Sequence, residues 1–425
     1  MTWREVTPIP MSRVAVVATM STAGDVLAAV AAAGVFEPDE DRAPSQPGVA
    51  TVDERLASAI SMSGCPTLTG WMPRAEVEPL RTMLTPLGGG VAAIPVRRGA
   101  IVPTAHAPAG IDSSLRPLVT TYGTIPYRDV DPTMFAAISY MLMFGMMFGD
   151  VAHGVALAVV GVILHRTTSG RLATLSGFAS FLIGAGVAST GFGLLYGECF
   201  GPTDLVPTLW LHPLDEPETL LLAGLAVGVA LLGVTFVLAS VNRWRESGPA
   251  VAMYDASGLG GALVFLGLVS ELAVALGGPQ ALSSVAIALG GLGLALVAVG
   301  LVAQTGTGPT GWAQAVIEIF DTVLRLGSSV VSFTRLAAFG LTHAVITSVV
   351  WDGTVGLWQR GGIASGTAAV LLFTAGNAAA FALGALVGAI QALRLEYYEL
   401  FSRIFLGQGR PFSPWHLPDE RLESS

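Results

Sequence analysis

Residues 327–348 read GSSVVSFTRLAAFGLTHAVITS, an apolar segment that carries one arginine, Arg335, near its middle. The apolar run around it extends from about 312 to 351, which at 1.5 Å per residue is roughly 60 Å of helix. The hydrocarbon layer of a bilayer is only about 30 Å thick. We therefore expect this helix to tilt steeply, to extend well beyond the bilayer, or to be broken.

The composition is typical of a membrane protein. Of 425 residues, 52% are hydrophobic and 12% are charged, against roughly a quarter charged in an ordinary soluble domain. The net charge is -9, and all 21 bases are arginine, which argues against nucleic-acid binding. Cys65 and Cys199 lie far apart in the chain. They predict neither a disulfide framework nor a metal site, and we expect no cofactor.

Eight apolar segments have the length of a membrane span. They lie at about 133–150, 151–167, 173–197, 218–241, 257–278, 282–304, 312–351 and 363–405. Arginines follow the second span, at Arg166 and Arg171, and the fourth, at Arg243 and Arg245. Because loops rich in arginine stay in the cytoplasm, we expect both termini there. The exclusive use of arginine together with abundant alanine and glycine suggests a GC-rich prokaryotic genome, so we expect the plasma membrane of a prokaryote.

The first part of the chain is more polar and predicts a small α/β domain. Strands are expected at 13–19, 67–72 and 91–96, and helices at 23–33, 52–62 and 74–87. The predicted fold is an all-α polytopic membrane domain of about eight helices, the last two long and tilted, preceded by this small cytoplasmic domain. The predicted boundaries are 1–125, 126–415 and a C-terminal tail at 416–425.

Arg335 is costly inside a membrane. A central arginine costs about 2.5–3.5 kcal/mol on insertion scales, and it cannot escape by losing its proton. Helical spacing sets Ser328, Ser332 and Thr342 on its face, with His343 on the adjoining one. The alternative is structural: Arg335 could form a buried ion pair with an acid elsewhere in the chain. The candidate acids are Glu271, Glu318 and Asp321.

The last span repeats this feature in GAIQALRLEYYELFSRIF, residues 388–405. Gln391 and Arg394 are three residues apart and so are neighbours on one helix face. Alternatively, Arg394 lies close enough to the end of the span to reach the membrane surface by snorkelling. Glu399 and Arg403 have the spacing of a surface salt bridge.

Other polar residues allow two interpretations. Asp150 and His153 lie where the first two spans meet, and Glu198 follows the third span. Each could line an aqueous vestibule or form part of a solvated turn. His343 could relay protons or hydrogen-bond a carbonyl group. None of the glycine-rich runs is followed by Lys-Ser or Lys-Thr, so the sequence predicts no nucleotide site.

Four segments together resemble the membrane subunit of V-type and A-type rotary ATPases, called subunit a in eukaryotes and subunit I in archaea and bacteria. They are YGTIPYRDVDPTMFAAISYMLMFGMMFGDVAHG at 122–154, GLLYGECFG at 193–201, SSVVSFTRLAAFGLTHA at 328–344 and ALRLEYYELFSRIFLGQGRPFSPW at 392–415. The N-terminal segment LTGWMPRAEVEPL, residues 68–80, is similar more faintly. The resemblance covers about residues 120–415 strongly.

The resemblance implies a stator subunit that forms proton or sodium half-channels against a rotating proteolipid ring. It matches Arg335 to the arginine that faces the ring carboxylates, and Arg394 with Gln391 to the second polar position. The candidate half-channel residues are Asp150, Glu198, Ser332, His343 and Glu399. The implied partners are the proteolipid ring, the peripheral and central stalks, the ATP-hydrolysing subunits and the lipid bilayer. The chain itself would catalyse no bond change.

The sequence departs from the family pattern in two respects. Family members commonly carry a longer cytoplasmic part with a helical coiled coil, whereas about 130 residues precede the first span here, so we expect a shortened arm. Some relatives have an acid where this chain has Gly384 and a histidine where it has Gln391. The alternative functions are a non-conducting paralogue that acts in assembly, and a secondary transporter. The expected inverted repeats of a transporter are not found in the sequence.

Overall fold

The computed structural model describes most of the chain. The described residues are 8–39, 51–62, 65–96, 100–105, 117–167, 176–203, 205–306, 308–405 and 409–417. Arg171 and most of the predicted tail at 416–425 lie outside them. The chain divides into two compact units. The first comprises 1–108, 123–131 and 407–425, and the second 109–122 and 132–406.

The first unit is the predicted α/β unit. Its elements are β1 Met11–Ala18, α1 Ala23–Ala33, β2 Glu37–Pro38, α2 Val52–Ser58, β3 Ile60–Met62, β4 Cys65–Pro73, α3 Val77–Leu84, β5 Gly89–Ala93, β6 Pro103–Thr104 and β7 Arg410–Pro411. Strands β2, β4, β1 and β5 form an antiparallel sheet in that order, and β3 pairs with β4. The helix predicted at 52–62 ends at Ser58, and the residues that follow Ala59 form β3.

The C-terminal segment completes this unit. Strand β7 pairs in parallel with β6, and Arg410 forms a 2.8 Å ion pair with Glu37. Trp415 is 0% exposed in the same core as Val14, Val26 and Phe36. Its amide donates a 2.7 Å hydrogen bond to the Phe36 carbonyl. A large aromatic side chain buried in this way contributes several kcal/mol of hydrophobic stabilisation, about 25 cal/mol per Å².

The second unit is helical. Its helices are α4 Pro117–Thr120, α5 Thr133–Met147, α6 Val151–Arg166, α7 Ala179–Tyr196, α8 Pro217–Ser247, α9 Pro249–Tyr254, α10 Leu259–Ala275, α11 Ala281–Thr305, α12 Pro309–Ser332, α13 Thr334–Gln359 and α14 Ile363–Leu395. Within the described residues, six helical segments are long and apolar enough to cross a membrane. The eight predicted spans are thus confirmed only in part. The first two are α5 and α6, apolar helices of 15 and 16 residues, whereas a span perpendicular to the bilayer needs about 20.

The seventh predicted span is a helix interrupted beside its arginine. Helix α12 ends at Ser332 and α13 begins at Thr334, with Phe333 between them. The ring of Phe333 packs directly against Gly228 of α8, where no side chain intervenes. Of the three expected solutions for an overlong helix, the structure shows a one-residue interruption, at Phe333, in a helical segment of 51 residues.

The eighth predicted span ends in a π-helical segment, Glu396–Phe401. This segment changes which side chains share a face, and the predicted Glu399–Arg403 salt bridge is absent from the described residues. Arg403 instead donates a 2.8 Å hydrogen bond to Ser329 and lies 5.3 Å from the ring centre of Phe236. The prediction was wrong because it assumed regular α-helical spacing.

Candidate functional site

Arg335 lies on the outer face of α13. One side of this helix is buried, and it contains Leu336, Ala337, Gly340 and Ala344. Spacings of three and four residues instead align Arg335 with Ala338, Thr342, Val345 and Val349, all of which are exposed. Arg335 itself is half-buried and belongs to the side of α13 that is left largely uncovered within this chain.

The structural alternative for Arg335 is not found. Among the described residues, Arg335 makes neither an ion pair nor a hydrogen bond. The three acids considered as partners are engaged elsewhere. Asp321 pairs with Arg325 at 2.9 Å, Glu318 accepts a hydrogen bond from Gln314 at 3.2 Å, and Glu271 accepts one from Ser283 at 3.1 Å.

Helix α14 presents a comparable exposed stripe. Leu383, Leu386, Ile390 and Arg394 recur at helical spacing, and all four are exposed. In the part of the chain that the structure describes, Arg394 also has no ion pair. Gln391 is half-buried beside it, and its Oε1 atom is buried without a hydrogen-bond partner there.

The packing of α13 on α14 sets the level of these groups. Val350 lies against Gly376, and His343 lies against Gly384. The two helices are antiparallel, so this register places Arg335 level with Gln391 and about one turn from Arg394. We call the exposed residues of both helices around Arg335 and Arg394 the cation face.

Three further predicted residues take simpler positions. Ser332 donates a 2.9 Å hydrogen bond to the Ser328 carbonyl, and Thr342 donates one of 2.7 Å to the Ala338 carbonyl. These hydroxyl groups are therefore bound within their own helices. Glu399 is half-buried in the π-helical segment.

The remaining predicted residues meet in the interior, where they form what we call the histidine–carboxylate cluster: Asp150, His153, Glu198 and His343. Asp150 caps the start of α6 by accepting a 2.9 Å hydrogen bond from the His153 amide. Its other oxygen accepts a 3.0 Å bond from the Gly201 amide. These bonds explain how a carboxylate can be 0% exposed, since buried polar groups need partners.

The histidines bring distant parts of the chain together. His153 Nδ1 lies 3.4 Å from His343 Nε2 and 3.8 Å from Asp150 Oδ1. The two histidines are 2% and 5% exposed. Phe148 packs against both rings, with centroid distances of 5.7 and 4.8 Å.

Glu198 completes the cluster from the loop after α7. Its carbonyl accepts a 2.9 Å hydrogen bond from Val151, and Thr347 of α13 donates a 3.5 Å bond to its carboxylate. Burial, followed by the nearby Asp150 carboxylate, raises the pKa of Glu198 to about 8. A carboxyl group in this state can take up or release a proton near neutral pH.

Gly384 explains one departure from the family pattern. A Cβ atom at this position would lie 2.8 Å from His343 Nδ1 and 2.8 Å from Phe148 Cε2. There is therefore no room for the acidic side chain that some relatives carry here unless His343 moves. In this chain the imidazole of His343 occupies the space instead.

Sequence reasoning missed a buried carboxylate close to Arg394. Glu396 is 0% exposed, and Ser139 Oγ of α5 lies 2.9 and 2.8 Å from its two carboxylate oxygens. Asn377, buried in the middle of α14, was also missed. The signal for both was present, because each is a polar residue within an apolar run.

Comparisons with known proteins agree with the motifs. The sequence model of the V-type ATPase 116 kDa subunit family matches residues 58–219. The chain is 25% identical over 367 residues to the A-type ATP synthase subunit I of Pyrococcus horikoshii, covering 82% of this chain and 53% of that protein. It is 28% identical over 400 residues to the A-type ATP synthase subunit I of Archaeoglobus fulgidus, covering 82% and 58%.

A bacterial relative matches over a shorter region. The chain is 31% identical over 167 residues to the V-type ATP synthase subunit I 2 of Treponema pallidum, covering 37% of this chain and 36% of that protein. The chain spans about half the length of the curated archaeal relatives named above. The predicted relationship to subunit I is confirmed.

Proposed function

We propose that this chain, which belongs to the V/A-type ATPase subunit I family, forms the stationary side of an ion path. In this proposal the cation face of α13 and α14 lies against the carboxylates of a rotating proteolipid ring. The histidine–carboxylate cluster and the Glu396 region line two offset half-channels, which carry protons or sodium. The ATP-hydrolysing subunits and the stalks are partners in the same complex.

The observation that carries the proposal is the unpartnered Arg335. A guanidinium group in hydrocarbon costs about 2.5–3.5 kcal/mol on insertion scales. Within the described residues no acid offsets this cost, and Arg335 lies half-buried on a helix face whose neighbouring residues are exposed. A carboxylate on a neighbouring subunit would supply the missing counter-charge.

The charge of Arg335 suits such a partner. A nearby cation favours the ionised carboxylate and lowers its pKa by about 1–3 units. A ring carboxyl group that arrives neutral would therefore release its ion beside Arg335. A guanidinium group does not give up its own proton, so it separates the two half-channels without passing protons between them.

Polar groups lie on both sides of the arginine level. His343 is eight residues beyond Arg335 along α13, which is about 12 Å. In the opposite direction, Glu396 lies five residues beyond Gln391 along α14 and its π-helical end, about 7 Å. Asp150, Glu198 and His343 are candidates for the outer half-channel. Glu396, Glu399 and Ser332 are candidates for the inner one.

The proposed topology has eight crossings with both termini in the cytoplasm. Helices α5 and α6 are the short first two crossings, packed against α7. The arginines Arg166, Arg243 and Arg245 then follow even-numbered spans, as the preference of basic residues for cytoplasmic loops requires.

The decisive experiment replaces Arg335 by alanine in the assembled complex, reconstituted into vesicles. ATP-driven uptake is followed for protons with a pH-sensitive dye and for sodium with a radioactive tracer. Without the cation the ring carboxylate loses a shift of about 1–3 pKa units, so uptake should fall about 10- to 1,000-fold. The complex should still assemble, because no described contact within the chain depends on the guanidinium.

A matched control is Arg325→Ala. Arg325 is an exposed arginine on α12, ten residues before Arg335, and its i, i+4 pair with Asp321 is worth less than about 1 kcal/mol. Uptake by this variant should stay near the wild-type rate. Normal uptake by Arg335→Ala would refute the ion path and favour the assembly function.

A further inference from the structure

We propose that Asp150, His153 and His343 form a binding site for a first-row divalent transition metal of the Zn²⁺ type. The three side chains come from the α5–α6 junction, α6 and α13. One potential ligand atom from each lies within 4.8 Å of the others. The sequence predicted no metal site, because 190 residues separate the two histidines.

Two of the three separations between ligand atoms are close to those of tetrahedral coordination, and the third is within 4.8 Å. Bonds from zinc to nitrogen or oxygen are about 2.0–2.1 Å long, so two ligands of a tetrahedral site lie roughly 3.3 Å apart. His153 Nδ1 lies 3.4 Å from His343 Nε2 and 3.8 Å from Asp150 Oδ1. The two ring nitrogens can share a hydrogen bond at this distance, and the same separation is that of two ligands of one metal ion.

The ligands are held by the surrounding structure. Both oxygens of Asp150 accept backbone hydrogen bonds, from His153 and Gly201. The ring of His343 is set between Phe148 and Gly384. Outer contacts that orient the ligands in this way typically raise metal affinity 10- to 100-fold.

The ligand types also suit a dication. Asp150 supplies a buried carboxylate, and among the described residues no arginine pairs with it. Three protein ligands leave a fourth position for water. Two imidazoles with one carboxylate form a set typical of zinc and related metals, not of calcium or magnesium.

The test uses the purified full chain in detergent, titrated with Co²⁺ and then with competing Zn²⁺. The expected result is one tight site with the intense visible absorption of tetrahedral Co²⁺. His153→Gln and His343→Gln should each weaken binding at least about 10- to 100-fold. The matched control is His165→Gln, the same change at an exposed histidine on α6, which should bind as the wild type does.

A second measurement needs no variant. X-ray absorption at the zinc edge of the wild-type chain should show imidazole nitrogens at about 2.0–2.1 Å. A shell of oxygen atoms alone, or equal affinity in the wild type and His343→Gln, would overturn the proposal. Both readouts are independent of ion transport, so failure of the proposed function would leave them unchanged.

Discussion

Helix α13 carries polar groups of two kinds on adjoining faces. His343 faces inward, where Asp150, His153 and Glu198 surround it. Arg335 faces outward, and within the described residues it has no ionic partner. The comparison separates polar groups that have partners among the described residues from groups that have none there. The histidine–carboxylate cluster is of the first kind, and the cation face is of the second.

The most direct test of the cation face moves the positive charge from α13 to α14. The register of α13 on α14 places Gln391 level with Arg335, so what should matter is the depth of the cation. Arg335→Gln alone should lose uptake about 10- to 1,000-fold, for the reason given for the alanine variant. Adding Gln391→Arg should restore a measurable part of it in the same vesicle assay.

The outcome distinguishes two explanations. Arg335→Gln combined with Leu383→Arg is the matched control, because residue 383 lies on the exposed stripe of the same helix about 12 Å from the level of Gln391. Recovery with Gln391→Arg but not with Leu383→Arg would support the register. Equal recovery would mean that the position of the charge is loosely defined. No recovery in either would contradict the level assigned to Gln391.

The buried cluster should respond to pH through Glu198. Its pKa is raised to about 8 in the folded protein, above the ordinary value of 4.5. The folded state therefore holds this proton more tightly than the unfolded state does. The resulting stabilisation is complete below about pH 4.5 and is lost as the pH rises through about 8.

Glu198→Gln should remove this dependence. Between about pH 5 and pH 8.5, the melting temperature of the wild type should fall relative to that of the variant. The difference corresponds to at most a few kcal/mol, at about 1.36 kcal/mol per pKa unit. Glu216→Gln, at an exposed glutamate, is the control. A constant difference between wild type and Glu198→Gln across this range would contradict the raised pKa.

The smallest expected effect concerns the contact between Ser139 and Glu396. Ser139→Ala removes the hydroxyl group beside a fully buried carboxyl group. Leaving such a group without a partner costs about 1–3 kcal/mol of unfolding free energy. Thermal unfolding in detergent measures it. Ser332→Ala is the control, since that hydroxyl bonds only to its own helix; equal stability of the two variants would show that the buried contact is unimportant.

Much of the secondary structure could be predicted because it follows from local pattern. The apolar run of β1 and the long apolar runs of α8, α11 and α14 each reflect how side chains partition between water and an apolar interior. The prediction was less successful where the apolar pattern of the sequence does not determine the length or the type of a helix. Helices α5 and α6 are apolar, yet shorter than the predicted spans, and the π-helical turn after α14 displaced the partner of Arg403.

The residues of the candidate site likewise divide into those that the sequence could predict and those that it could not. Arg335, Gln391 and Arg394 stood out by their chemistry, because a charge in an apolar helix is conspicuous in the sequence alone. Glu396 did not, because its significance lies in its burial against Ser139, 257 residues away in the chain. Likewise, neither histidine by itself predicted a shared site.

The amino-acid sequence by itself determined that this chain is a membrane protein, where most of its helices lie and which residues are too polar for their surroundings. These properties depend on the transfer free energy of each side chain and on short-range periodicity. Only the tertiary structure decided that the C-terminal segment packs Trp415 into the first unit, that two histidines meet beside Asp150 and that Arg335 faces outward. Such pairings depend on the register in which distant helices and strands pack, and no local pattern encodes that register.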